Sequence, residues 1–95
     1  MLDTSNNLNV IDSSALSKLK WRARRGMLEN DIVLTKFFNK YGNTLSKEQA
    51  SALEVLLDLS DNDLLDLILN RSSPKQEWNK NSAILDVIHV LRDIY

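Results

Sequence analysis

The segment Trp21–Ile32, WRARRGMLENDI, gathers the most chemically capable side chains of the chain. Arg22, Arg24 and Arg25 supply planar donors that match carboxylates and phosphates. Trp21 adds a flat apolar face on which a guanidinium can stack. Glu29 and Asp31 add acceptors, and Gly26, one of two glycines in the chain, marks a point where another backbone can come close. The segment holds no serine, cysteine or histidine, so it lacks a good nucleophile. Tryptophan and arginine are the residues most enriched at the energetic centres of protein interfaces. The segment therefore has the composition of a recognition surface.

Phosphate is the competing target. Lys18, Lys20, Arg22, Arg24 and Arg25 place five cations within residues 18–25, with Trp21 among them to stack a base. At about 100° per residue, however, these cations wrap around a helix instead of forming one stripe, and two carboxylates follow. A protein partner fits better. A nucleic-acid-binding helical protein, and an adaptor or antitoxin-like protein with some other partner, remain the alternatives.

The rest of the chain offers little catalysis. His89 is the only histidine, and it falls roughly 150° from the apolar face of its helix, so no second imidazole can share a metal with it. Asp58, Asp61, Asp63 and Asp66 form an acidic run without calcium-loop spacing or its glycine. Helix-start carboxylates and a solvated face account for them. There is no phosphate-cradling glycine loop, no serine elbow and no HExxH. The chain has no cysteine, which excludes disulfides, thiolate metal sites and cysteine nucleophiles together. The expectation is a protein that is not an enzyme, with no catalytic residue, no metal and no stably bound cofactor.

Ninety-five residues make one domain with a modest core. A 43% hydrophobic and 26% charged composition is that of a soluble globular protein, and a net charge of −1 argues against a dedicated nucleic-acid binder. No apolar run approaches the roughly 18 residues of a membrane span. The opening MLDTSNNLNVID resembles neither a signal nor a transit peptide, so a cytoplasmic, bacterial protein without membrane insertion is expected. Two glycines and one proline are too few turn residues for a small β-protein.

Helical spacing runs through the chain instead. Residues 1–12 are polar and aperiodic and read as a flexible N-terminal tail, leaving 13–95 as a single helical domain. The first helix starts at Ser13 or Ser14 as N-cap, buries Leu16, Leu19 and Ala23, and stops at Gly26, which takes a left-handed conformation there. A second helix runs from Met27 or Leu28 to Tyr41, with Leu34, Phe37, Phe38 and Tyr41 on its core face. Ser46 and Gln49 form a capping box for a third, and Ser60 caps a fourth. The fifth carries Ile84, Val87, Ile88, Leu91 and Tyr95 on one face. SSPKQEWNKN is the one sizeable loop. The sum is an all-α, compact five-helix bundle.

These elements orient the opening segment. Trp21 lies roughly 160–200° from Leu19 and Ala23, so it points outward together with Lys18, Arg24 and Arg25. On the second helix, Glu29, Ile32, Val33 and Lys36 make a further stripe opposite the core face. A helix apolar on two sides is either central in its bundle or covered by a partner.

The sequence RRGMLENDI contains Arg25-Gly26-x-x-Glu29, followed by Asp31 and the pair Phe37-Phe38. It resembles the RGxxE motif of the succinate dehydrogenase FAD assembly factors, the small flavinylation factors. Trp21 stands four residues before the motif arginine, as in bacterial members. Leu45-Ser46 and the stretch LLDLSDNDLLDLIL extend the similarity over roughly residues 18–70. The resemblance implies a five-helix domain that binds the flavoprotein subunit of succinate dehydrogenase, and in many bacteria that of fumarate reductase. It implies a chaperone that promotes covalent attachment of FAD to a client histidine and leaves before the iron–sulfur subunit docks. FAD then belongs to the client, and the factor is expected to be a monomer. Carried onto this chain, Arg25, Gly26 and Glu29 are the contact motif. Trp21, Arg24, Met27, Asp31 and Ile32 form the surrounding protein-binding patch.

Overall fold

The structure, a computed structural model, describes residues 9–24 and 26–95. Among the described residues five α-helices follow one another: α1 (Ser13–Arg22), α2 (Leu28–Tyr41), α3 (Lys47–Leu57), α4 (Asp61–Ile68) and α5 (Ser82–Ile94). Short 3-10 turns occupy Gly42–Thr44 and Gln76–Trp78. No helix is long and apolar enough to cross a membrane among the described residues.

The helix starts follow capping chemistry. The side chain of Ser46 accepts from the Gln49 N–H at 3.0 Å, and the Ser46 N–H donates to Gln49 Oε1 at 2.9 Å, closing the expected capping box. Ser46→Ala removes one arm of it, and a loss of about 1 kcal/mol in urea unfolding is expected. Ser60 caps α4 through the Asp63 N–H at 3.1 Å. The cap of α1 is one residue earlier than Ser13: Asp12 accepts from the Ala15 N–H at 2.7 Å. An aspartate caps as well as a serine and adds a charge favoured by the helix dipole.

The end of α1 departs from expectation. The helix stops at Arg22, Ala23 is its cap in right-handed geometry, and no described glycine has positive φ. Gly26 is therefore not a left-handed helix stop. The one described residue with positive φ is Asn70, at 60°, beyond α4. There the Arg71 N–H reaches Asp66 O at 2.8 Å and the Asn70 N–H reaches Leu67 O at 3.2 Å, a Schellman ending with asparagine in the usual glycine place.

Packing places α5 at the centre, against α2, α3 and α4, while α1 lies on α3. Ile84, Val87, Ile88 and Leu91 of α5 are buried as their spacing requires, but Tyr95 at the chain end is exposed. Leu53, Leu56 and Leu64 are fully buried. Phe37 meets Phe38 edge-on at 5.6 Å and Tyr41 at 5.5 Å between ring centroids. The connector before α5 is not a plain loop, because its Trp78 is buried and belongs to the core cluster. Arg92 donates from Nε to Leu67 O at 2.9 Å, a second hydrogen bond to a carbonyl at the end of α4 that ties α5 to it.

Of the N-terminal segment, residues 1–8 lie outside the described residues. The part that follows is held: Val10 forms an antiparallel bridge with Ser46, and the Ile11 N–H donates to Leu45 O at 3.0 Å.

Candidate protein-binding site

The end of α1, the start of α2 and the turn between them carry the candidate residues. Trp21 is 73% exposed, on the outward face that its spacing predicts. The Arg24 guanidinium sits 5.6 Å from the indole centroid, in cation–π range. This contact holds a long cationic side chain against a rigid ring, lowering the entropy lost when a partner arrives. Arg25 lies outside the described residues.

The basic run divides in two. Arg22 ion-pairs with Asp58 and, at 3.6 Å, with Glu54, so it ties α1 to the end of α3. Lys18, Lys20 and Arg24 have no ion-pair partner among the described residues. Of the described members of the run, the latter group is free to meet something outside the chain.

Gly26 is exposed. A Cβ built on it would meet only Asp61 Oδ2, at 4.0 Å, which is ordinary contact. Neither backbone conformation nor internal packing therefore demands a glycine here. Met27, half-buried, is the N-cap of α2 in extended geometry, and no side chain caps this helix start. Among the described residues, no side chain accepts from the first-turn N–H groups of α2. Glu29 is exposed and has no hydrogen bond or ion pair among the described residues. Asp31, half-buried, lies on the side of α2 that faces Arg24 across a cleft.

The second stripe expected on α2 splits. Val33 turns into the core, while Ile32 is 44% exposed and Glu29 and Lys36 are exposed beside it. Two residues were not anticipated. Leu28 is 66% exposed and precedes Ile32 by one helical turn, extending the apolar outer stripe. Its i, i+4 relation to Ile32 is the signal that could have found it.

Asn30 is the other. It is fully buried, and its Nδ2 donates to Asp61 O at 2.9 Å, joining the starts of α2 and α4. Its Oδ1 is buried without a hydrogen-bond partner among the described residues. Asn30 stands three, four and seven residues before Val33, Leu34 and Phe37, so spacing puts it on the core face.

Elsewhere the chemistry is sparse. The His89 side chain is 77% exposed and lies 3.7 Å from Asp93 one turn on. No group of three or more histidine, cysteine or acidic side chains is arranged to hold a metal among the described residues.

The chain is similar to known proteins. A family model described as "Flavinator of succinate dehydrogenase" matches residues 17–92. The chain is 46% identical over 93 residues to the FAD assembly factor SdhE of Ralstonia nicotianae, covering 98% of this chain and 97% of that relative. It is 31% identical over 83 residues to the FAD assembly factor SdhE of Legionella pneumophila (strain Lens), covering 87% of this chain and 98% of the relative. For that of Coxiella burnetii the identity is 38% over 61 residues, 64% of this chain and 74% of the relative. No solved structure matches.

Proposed function

This chain belongs to the family of flavinators of succinate dehydrogenase, and from that premise we propose that it is an assembly factor for a flavoprotein. It binds the flavoprotein subunit of succinate dehydrogenase and promotes covalent attachment of FAD to it. The flavoprotein subunit of fumarate reductase is a second client. The factor is not an enzyme: it acts as a cytoplasmic monomer on the client, and FAD is held by the client.

The observation that carries this reading is the exposed constellation of Trp21, Arg24, Gly26, Glu29 and Ile32, whose polar members are not used up inside the fold. Glu29 is free to accept from a client donor, and the uncapped start of α2 can receive a client carbonyl or carboxylate. Gly26 lets the client backbone approach where any side chain would hold it off. Arg25, Met27 and Asp31 complete the contact. In this mechanism the chain supplies no proton and no nucleophile. Its residues fix the client in an arrangement in which the flavin chemistry proceeds, a gain in orientation rather than in acid–base catalysis.

Covalent flavin survives denaturation and fluoresces in a gel, which gives the test. In a strain lacking this protein, the client band is expected to lose most of its fluorescence, and the intact chain should restore it. Glu29→Ala should restore several-fold less while its helical circular dichroism stays unchanged. Full client fluorescence without the protein, or full restoration by Glu29→Ala, would refute the assignment of function or of the contact respectively.

A further inference from the structure

Between the end of α1 and the middle of α2 lies a cleft of about 220 Å³, lined by Lys20, Ala23, Arg24, Asp31, Leu34, Thr35, Phe38 and Asn39. Its floor is core: Ala23 is 3%, Leu34 2% and Phe38 8% exposed. Its α1 rim is cationic, through Lys20 and Arg24. Neither has an ion-pair partner among the described residues. Asp31 is the single anion on the opposite wall.

We propose that this cleft is the anchor point of the client interface. It takes one apolar side chain of the flavoprotein, presented by a segment that carries a carboxylate beside it. The inference rests on reading the chain as a flavoprotein assembly factor and names what that surface grips. Size selects a side chain: pockets for small molecules and cofactors run to about 300–1,000 Å³, whereas an interface anchor needs room for one residue. The apolar floor selects an aliphatic or aromatic anchor. Charge selects its neighbour, because two unpaired cations, Lys20 and Arg24, on one rim outweigh one anion on the other. The Trp21 ring, which steadies Arg24 at 5.6 Å, continues this rim onto the exposed patch. The cleft therefore joins the motif turn to the outer surface of α1 in one contact area.

The test uses the full chain and the purified flavoprotein subunit of succinate dehydrogenase, with affinity measured by calorimetry. Thr35, exposed at the mouth, is replaced by tryptophan to fill the cleft. Thr35→Trp is expected to weaken binding at least tenfold with an unchanged melting temperature. The double variant Lys20→Glu/Arg24→Glu, altered only at exposed positions, should weaken binding similarly and flatten its salt dependence. A photo-crosslinker at position 35 should capture a client peptide with an apolar residue within two positions of Asp or Glu. Wild-type affinity in both variants, or a captured peptide without a carboxylate, overturns the cleft assignment while the assembly-factor reading stands. If the unaltered chain itself fails to bind the flavoprotein, that reading falls and the cleft assignment falls with it.

Discussion

Gly26→Arg is expected to abolish covalent flavinylation of the client while leaving the factor folded. The argument has two halves. Inside the chain, a Cβ at this position meets only the outer oxygen of Asp61 at 4.0 Å, and the backbone is not left-handed. A larger side chain therefore extends into solvent, and surface substitutions of that kind stay within about 0.5 kcal/mol. Outside the chain, on the proposed reading, the same side chain stands where the client backbone approaches. Overlap there costs several contacts at once, and a fall in affinity of about a hundredfold, about 2.7 kcal/mol, is the expected scale. The measurement is a paired one: urea unfolding of the variant, and client fluorescence in a strain that carries only the variant. Unfolding together with lost flavinylation would assign the glycine to the fold. Normal flavinylation would remove it from the interface.

Asn30→Asp is expected to be the most destabilising conservative change in the chain. Asn30 is fully buried, and its amide holds the start of α4 to the start of α2. The substitution replaces a neutral donor by a carboxylate with no cation described beside it, next to the carbonyl it formerly bonded. An uncompensated buried charge costs about 3–5 kcal/mol. A domain of this size has about 5–14 kcal/mol in total, so the variant sits near the edge of folding. Burial raises the folded-state pKa of the new carboxyl above its unfolded value of about 3.9. The penalty relative to the parent is then absent below that value and grows as pH rises through it. Urea midpoints of variant and parent, compared from pH 4 to 8, read this directly. A difference that does not change with pH would mean that shape, not charge, sets the cost.

Both predictions turn on positions that sequence reasoning treated differently. Gly26 was legible as a special residue, but for two reasons, and the internal one fails: α1 ends three residues earlier, at Ala23, without any left-handed residue. Short-range patterns tell that a glycine is present, not which constraint selects it. Asn30 was overlooked because a polar residue on a core face looks like an interruption of the pattern. Its burial depends on where α4 begins, thirty-one residues away. Trp78 was hidden in the same way, in a connector whose composition reads as loop while the three-dimensional core needs its ring.

The sequence by itself determined the helices, their caps at Ser46 and Ser60, the inward faces of α2 and α5, and the outward position of Trp21. These are local properties, set by a repeat of 3.6 residues and by hydrogen bonds three positions apart. It also carried the Arg25-Gly26-x-x-Glu29 spacing on which the resemblance to the family rested. Only the tertiary structure decided which members of the basic run are free. Arg22 meets Glu54 and Asp58 on a distant helix, whereas Lys18, Lys20 and Arg24 meet no anion among the described residues. Only the tertiary arrangement that sets the end of α1 beside α2 made the cleft at Thr35, since its two walls come from separate parts of the chain. Charge pairing and cavity shape depend on which helices become neighbours, and that is settled by the whole core at once rather than by any window of sequence.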